Sequence, residues 1–131
     1  MILPPAVVIH GLAQARAALA PGRAVLLLSA PGAAGFAGAA WWRALVEAAL
    51  DGRQAPDALD CGDQAGRALE ALAAGCGIVI LLPCPGFPGV AARAGDAVVI
   101  SDRPAALDLG EAGAARHLEA WLQGDRGDGV R

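Results

Sequence analysis

Most of the reactive side chains in this chain stand directly after apolar runs. His10 follows Ala6-Val7-Val8-Ile9, Ser29 follows Ala24 to Leu28, and Asp60-Cys61-Gly62-Asp63 follows Asp57-Ala58-Leu59. Cys84 comes just after the run Gly77 to Leu82, and Ser101-Asp102-Arg103 follows Ala97 to Ile100. Ser29 and Ser101 are the only serines in the sequence. An imidazole, a thiol and a carboxylate are the parts of a nucleophilic catalyst, provided that a histidine or a helix N-terminus lowers the thiol pKa. His10, Asp60 and Cys61 are therefore the candidate catalytic residues. Asp60 and Asp63 also offer two carboxylates close together, which could share a metal, or one of which, with a raised pKa, could act as a general base. Asp63 has a competing duty, capping the helix that the pattern predicts from about residue 64.

The second set of candidates suits an anion. In Ser29-Ala30-Pro31-Gly32-Ala33-Ala34-Gly35-Phe36-Ala37-Gly38, a glycine recurs every third residue. Backbone amides in such a loop can approach a phosphate or carboxylate at a helix N-terminus. Gly32, Gly35 and Gly38 do not have the spacing of the dinucleotide fingerprint, which needs glycines two and then three apart. Asp102 and Arg103 add a possible clamp, the guanidinium supplying paired donors; a turn closed by Pro104 is the competing use of that segment. The candidate ligand-binding set is Ser29, Gly32, Gly35, Gly38, Asp102 and Arg103. No spacing specifies a metal site, and no cofactor is indicated.

Bringing these residues together requires parallel strands that all end at one edge. The apolar pattern alternates between strand-like and helix-like periods. Strands are predicted at about 6–10, 24–30, 57–61, 77–82 and 97–101, with a minor extra strand at Leu107-Asp108-Leu109. Helices are predicted at about 11–20, 38–50, 64–74, 89–94 and 111–123. The helix at 64–74 is expected to turn Leu69 and Leu72 inward, and the last one Ala115, Leu118, Trp121 and Leu122. This alternation predicts a three-layer αβα sandwich of flavodoxin-like or Rossmann-like type around a mostly parallel five-stranded sheet. The favoured strand order is 2-1-3-4-5, which sets the first strand between the second and third and so brings His10 beside Cys61. The segment Ala65 to Leu82 resembles a generic βα repeat of TIM barrels; that resemblance implies half of a βα barrel as the alternative. One domain is expected over 1–123, with a flexible tail over 124–131.

Composition excludes several classes. The chain has 131 residues, a net charge of −3 and 56% hydrophobic residues, and its ten arginines form no basic cluster. Nucleic acid, which requires a positive patch, is not an expected partner. No apolar stretch approaches the roughly 18–20 residues of a membrane span, and no leader-like segment is read at the start, so a cytoplasmic location is expected. Lys, Thr, Asn and Tyr are absent from the sequence. Without lysine there is no Schiff-base chemistry and no Walker A loop. Cys61, Cys76 and Cys84 form no C-x-x-C pair and read as free thiols.

Trp41 and Trp42 are adjacent and lie about 100° apart on a helix, so one stripe cannot bury both. Trp42 fits the core stripe, while Trp41 suits a sheet margin, a ligand cleft or a subunit interface, and a homo-oligomer is expected. The functional expectation is binding of a small, anionic molecule at the carboxyl edge of the sheet. A non-catalytic assembly module is the alternative, and a small enzyme using Cys61 or Asp60 is the third.

Overall fold

The computed structural model describes residues 2–124. Six short strands alternate with helices: β1 (Ala6–Val8), α1 (Leu12–Leu19), β2 (Leu26–Leu28), α2 (Ala33–Phe36), α3 (Ala39–Leu50), β3 (Asp57–Asp60), α4 (Ala65–Ala73), β4 (Ile78–Ile80), α5 (Phe87–Ala91), β5 (Val98–Ile100), β6 (Ala106–Asp108), a 3₁₀ turn (Ala114–His117) and α6 (Leu118–Leu122). Every strand pairing is parallel, and the order is β5-β4-β3-β2-β1-β6. The protein is thus an α/β fold on a parallel sheet, of the Rossmann-like and flavodoxin-like type.

Two details differ from expectation. The sheet has six strands rather than five, because Ala106–Asp108 pairs with β1. The order 2-1-3-4-5 is not adopted. From β1 to β5 each crossover moves one position in the same direction, and the reversal comes only at β6. Right-handed crossovers that all step one way keep their helices on the same face. Accordingly, buried residues of α1 to α6 join one cluster with Val7, Ile9, Leu27, Leu59, Val79 and Leu81.

The opposite face has a thinner covering. Its cluster consists of Ala6, Val8, Leu26, Leu28, Ala58, Ile78 and Ile80, with Leu3, Ile100 and Ala106 packed against it. Leu26, Leu28, Ala58 and Ile80 are all 0% exposed, although no helix residue belongs to this cluster. Curvature accounts for this burial. In a flat sheet β5 and β6 would lie five spacings apart, about 24 Å at about 4.8 Å each. The chain from Ile100 to Ala106 spans at most about 21 Å, and it must also run back to the amino end to enter a parallel strand. The sheet therefore coils until its edges approach, and the even-numbered strand residues pack on one another. One-way winding and curvature are features shared with the βα-barrel alternative, but no pairing joins β5 to β6 among the described residues.

Local differences have local causes. The glycine-rich loop contains a helical turn, α2, which Gly32 enters at φ 68°. α4 packs by its small residues, with Ala68 and Ala71 buried and Leu69 37% exposed, so the expected inward Leu69 faces out. Alanine on that stripe lets α4 approach α2 and α3 closely. The last helical segment is split into the 3₁₀ turn and α6, and its first buried residue is Ala114, with Ala115 exposed. Apart from Gly124, the tail expected at 124–131 lies outside the described residues. No described helix is long and apolar enough to cross a membrane.

Candidate functional site

The strand order sets four polar positions side by side along the carboxyl edge: Asp108 on β6, His10 after β1, Ser29 after β2 and Asp60 at the end of β3. They form two constellations of different character.

The first lies between β2 and β3. The Ser29 hydroxyl accepts the Asp60 amide at 2.9 Å and donates to the Ala30 carbonyl at 3.0 Å. Asp60 Oδ1 accepts the amides of Gly32 at 3.1 Å and Gly62 at 2.8 Å. Asp60 Oδ2 accepts Arg103 Nη1 at 2.8 Å, and Arg103 Nη2 donates to the Ser29 carbonyl at 2.8 Å. Ser29 and Asp60 are buried. Among the described residues no buried side-chain nitrogen or oxygen lacks a partner. The Gly32 loop thus does offer an amide to an anion, but the anion is the protein's own Asp60 carboxylate. Arg103 lies on the return from β5 to β6, so its fork ties that segment across the ends of β2 and β3.

Cys61 follows immediately and is buried, its sulfur 3.9 Å from the Leu59 carbonyl. Burial, reinforced by the Asp60 charge, pushes its thiol up to about 12. At neutral pH it stays protonated, the opposite of what a nucleophile requires. Burial likewise pushes Cys76 up to about 11.

The second constellation joins β1 to β6. His10 Nε2 lies 2.7 Å from Asp108 Oδ1, with side-chain exposures of 39% and 32%. The same oxygen accepts the Gly110 amide at 2.8 Å. Burial alone would raise the Asp108 carboxyl, but the hydrogen bonds from His10 and Gly110, with the charges of His10 and Arg103, hold it below the ordinary carboxylate value. Gly110 leaves room for the ring: a Cβ there would stand 2.8 Å from His10 Nε2 and 2.9 Å from Cδ2, so the imidazole would have to shift. Gln14 completes the arrangement, accepting the His10 amide at 2.8 Å and donating to the Leu109 carbonyl at 3.3 Å. An ionised Asp108 fixes the proton of a neutral imidazole on Nε2. Nδ1 bonds to no protein group among the described residues, and neither does Asp108 Oδ2.

No family model matches the chain, and no curated protein matches it.

Of the sequence-derived candidates, Ser29, Gly32, Asp60 and Arg103 meet. His10 and Cys61 do not, because β2 separates β1 from β3; the Cys–His–Asp arrangement is not assembled. Asp102 is exposed and makes no hydrogen bond or ion pair among the described residues. Gly35 lies within α2, where the Gln64 amide packs 3.2 Å from the position a Cβ would take, and Gly38 opens α3 at φ 92°. Asp63 does not cap α4; Gln64 occupies that position and makes no side-chain cap bond. Trp42 is buried and donates to Asp57 at 2.9 Å, whereas Trp41 is 37% exposed. Among the described residues no group of three or more His, Cys, Asp or Glu could hold a metal.

Asp108 was expected only as part of a minor strand, and neither it nor Gly110 nor Gln14 was among the candidate site residues. A signal was present: Leu107-Asp108-Leu109-Gly110 repeats the pattern of an apolar run ending in polar and small residues. Asp57 was also missed. Its carboxylate holds Trp42, and both of its oxygens accept Arg43 Nη1, at 3.0 and 3.1 Å.

Proposed function

We propose that the chain binds a small polar molecule, anionic in its preferred form, at the His10–Asp108 end of the carboxyl edge. The observation that carries this reading is the unsaturated pair: Asp108 holds one ring nitrogen of His10 at 2.7 Å, while Nδ1 has no protein partner among the described residues. A neutral imidazole held in this way offers Nδ1 as an acceptor to a ligand N–H or O–H. A protonated one offers a charged donor to a carboxylate or phosphate. Arg103, 23% exposed and close enough for its charge to act on Asp108, adds positive potential to the same edge. Gly110 and Gln14 support the reading, since they position a side-chain pair that the core does not need. A carboxyl-edge location also agrees with the general behaviour of open α/β sheets.

The test is a titration with acetate, inorganic phosphate and other small acids, followed through the imidazole resonances of His10 and the amide of Gly110. Saturable shifts, lost in His10→Ala and weakened in Asp108→Asn, are expected. Shifts that persist unchanged in His10→Ala would sink the proposal, as would a flat response to the whole series.

The assembly reading keeps one observation in its favour. Phe36 is 73% exposed and Trp41 37% exposed, on consecutive helices, and large aromatic residues are enriched at interfaces. An oligomer in solution that dissociates on Trp41→Ala would favour it.

A further inference from the structure

The opposite edge of the sheet carries a feature that the carboxyl edge does not explain. A cavity of about 310 Å³ opens at the amino ends of β1 and β2. Its walls include Pro4, Leu19, Val25 and Pro56, and its charged lining is Arg23 and Arg53. The volume falls at the lower end of the roughly 300–1,000 Å³ typical of small-molecule sites. It suits a fragment-sized ligand.

The two arginines are incompletely used. Arg23 is tied to Glu119 through Nε alone. Arg53 makes a single 3.4 Å bond, from Nε to the Leu50 carbonyl. The terminal nitrogens of both guanidinium groups have no protein acceptor among the described residues. Placing the guanidinium of Arg53 beside the last carbonyls of α3 is favourable by itself, because a helix C-terminus attracts cations. That contact uses only Nε and leaves the fork that fits a carboxylate or phosphate unfilled. A neighbouring cavity of about 470 Å³ shares Arg53, Gln54, Ala55 and Pro56 but has Arg43 as its other cation. Arg43 is already committed to Asp57. The first cavity therefore combines two unfilled guanidinium forks with apolar walls, a combination the second lacks.

We infer that the amino-edge cavity is a second ligand site, for a small organic acid with a compact apolar body. The acid group lies against Arg53 and Arg23, and the apolar body rests on Leu19, Val25 and Pro56. This site is independent of the carboxyl-edge site, since the two lie at opposite ends of the strands.

The experiment is a ¹⁵N–¹H titration of the full chain with benzoate and isovalerate, and with benzamide as the uncharged counterpart of benzoate. Saturable shifts at the amides of Val25 and Ala55 are expected for the acids, with benzamide weaker. Arg53→Gln should weaken binding about tenfold, as loss of a charge-assisted bond does, whereas Arg67→Gln on the exposed face of α4 should not. The inference is overturned if neither acid shifts those amides, if benzamide binds as well as benzoate, or if Arg53→Gln binds as the parent does. Shifts at Gly110 and the His10 ring report the other site, so failure of one reading is distinguishable from failure of the other.

Discussion

The carboxyl edge holds two polar constellations two strand positions apart, and they solve opposite problems. Ser29 and Asp60 are buried and bond inward, one carboxylate accepting two amides and the guanidinium of the part-exposed Arg103. The His10–Asp108 pair is part-exposed and keeps one ring nitrogen and one carboxylate oxygen without a protein partner among the described residues. Saturation of buried polar groups secures the fold, whereas the part-exposed atoms of the His10–Asp108 pair stay open to solvent and so to a ligand. The buried group has an evident structural task. The return from β5 to β6 is only five residues long and contains no helix, so Arg103 on Asp60 and on the Ser29 carbonyl is the main polar tie holding it over the ends of β2 and β3.

The largest effect should follow from breaking that tie. Asp60→Ala leaves the Gly32 and Gly62 amides without their acceptor and Arg103 with only the Ser29 carbonyl. Removing one partner of a buried ion pair typically costs about 3–5 kcal/mol; since Arg103 retains 23% exposure, about 3 kcal/mol is expected. Urea unfolding measures this directly. A loss below about 1 kcal/mol would remove the distinction between the two constellations, because Asp60 would then be no more structural than an exposed pair.

The sequence singled out the residues of this network but assigned them to a ligand and to catalysis rather than to one another. Ser29, Asp60 and Arg103 stood out because they follow apolar runs and Gly32 because it lies in a glycine-rich loop, and the alternation of periods predicted the parallel α/β sheet. The strand order was not legible. Each βα unit is locally the same whichever neighbour its strand joins, and what decides the direction of winding is packing between units distant in sequence. From that one unknown followed the separation of His10 from Cys61 and the pairing of His10 with Asp108 instead. The inertness of Cys61 was similarly hidden: a cysteine at a strand end reads alike whether it is exposed or, as here, buried with its thiol pushed up to about 12. Leu69 in α4 misled for a related reason, since alanines rather than leucines took the close-packed stripe.

A smaller effect should come from crowding the exposed pair without removing it. In Gly110→Ala the new methyl would meet His10 Nε2 at 2.8 Å and Asp108 Oδ1 at 3.1 Å, and overpacking of this kind costs about 1–3 kcal/mol. Partial exposure lets the imidazole swing away, so the lower end, about 1 kcal/mol, is expected, together with loss of ligand shifts at His10. Gly66 provides the contrast. It lies within α4, and a methyl there would have nothing within 4 Å, so Gly66→Ala should stabilise the protein by about 0.5–1 kcal/mol. If both variants change stability equally, the space around Gly110 is not what positions the pair.

The smallest effect is the most specific to the open constellation. The folded Asp108 carboxyl titrates below its ordinary value because His10 and the Gly110 amide favour the ionised form. A carboxyl lowered on folding adds stability that is fully present above the unfolded value, about 3.9, and is lost as the pH falls through the lower folded value. The stability difference between the parent and Asp108→Asn should therefore shrink as the pH drops below about 4. Its size at neutral pH should stay within about 1 kcal/mol, as for other exposed pairs. Urea midpoints at pH 7, 5, 4 and 3 would show it. A difference that grows from pH 4 to pH 3 would mean that the neutral Asp108 is the better-held form, which would reverse the tautomer assigned to His10 and with it the role of Nδ1 as the ligand-facing nitrogen.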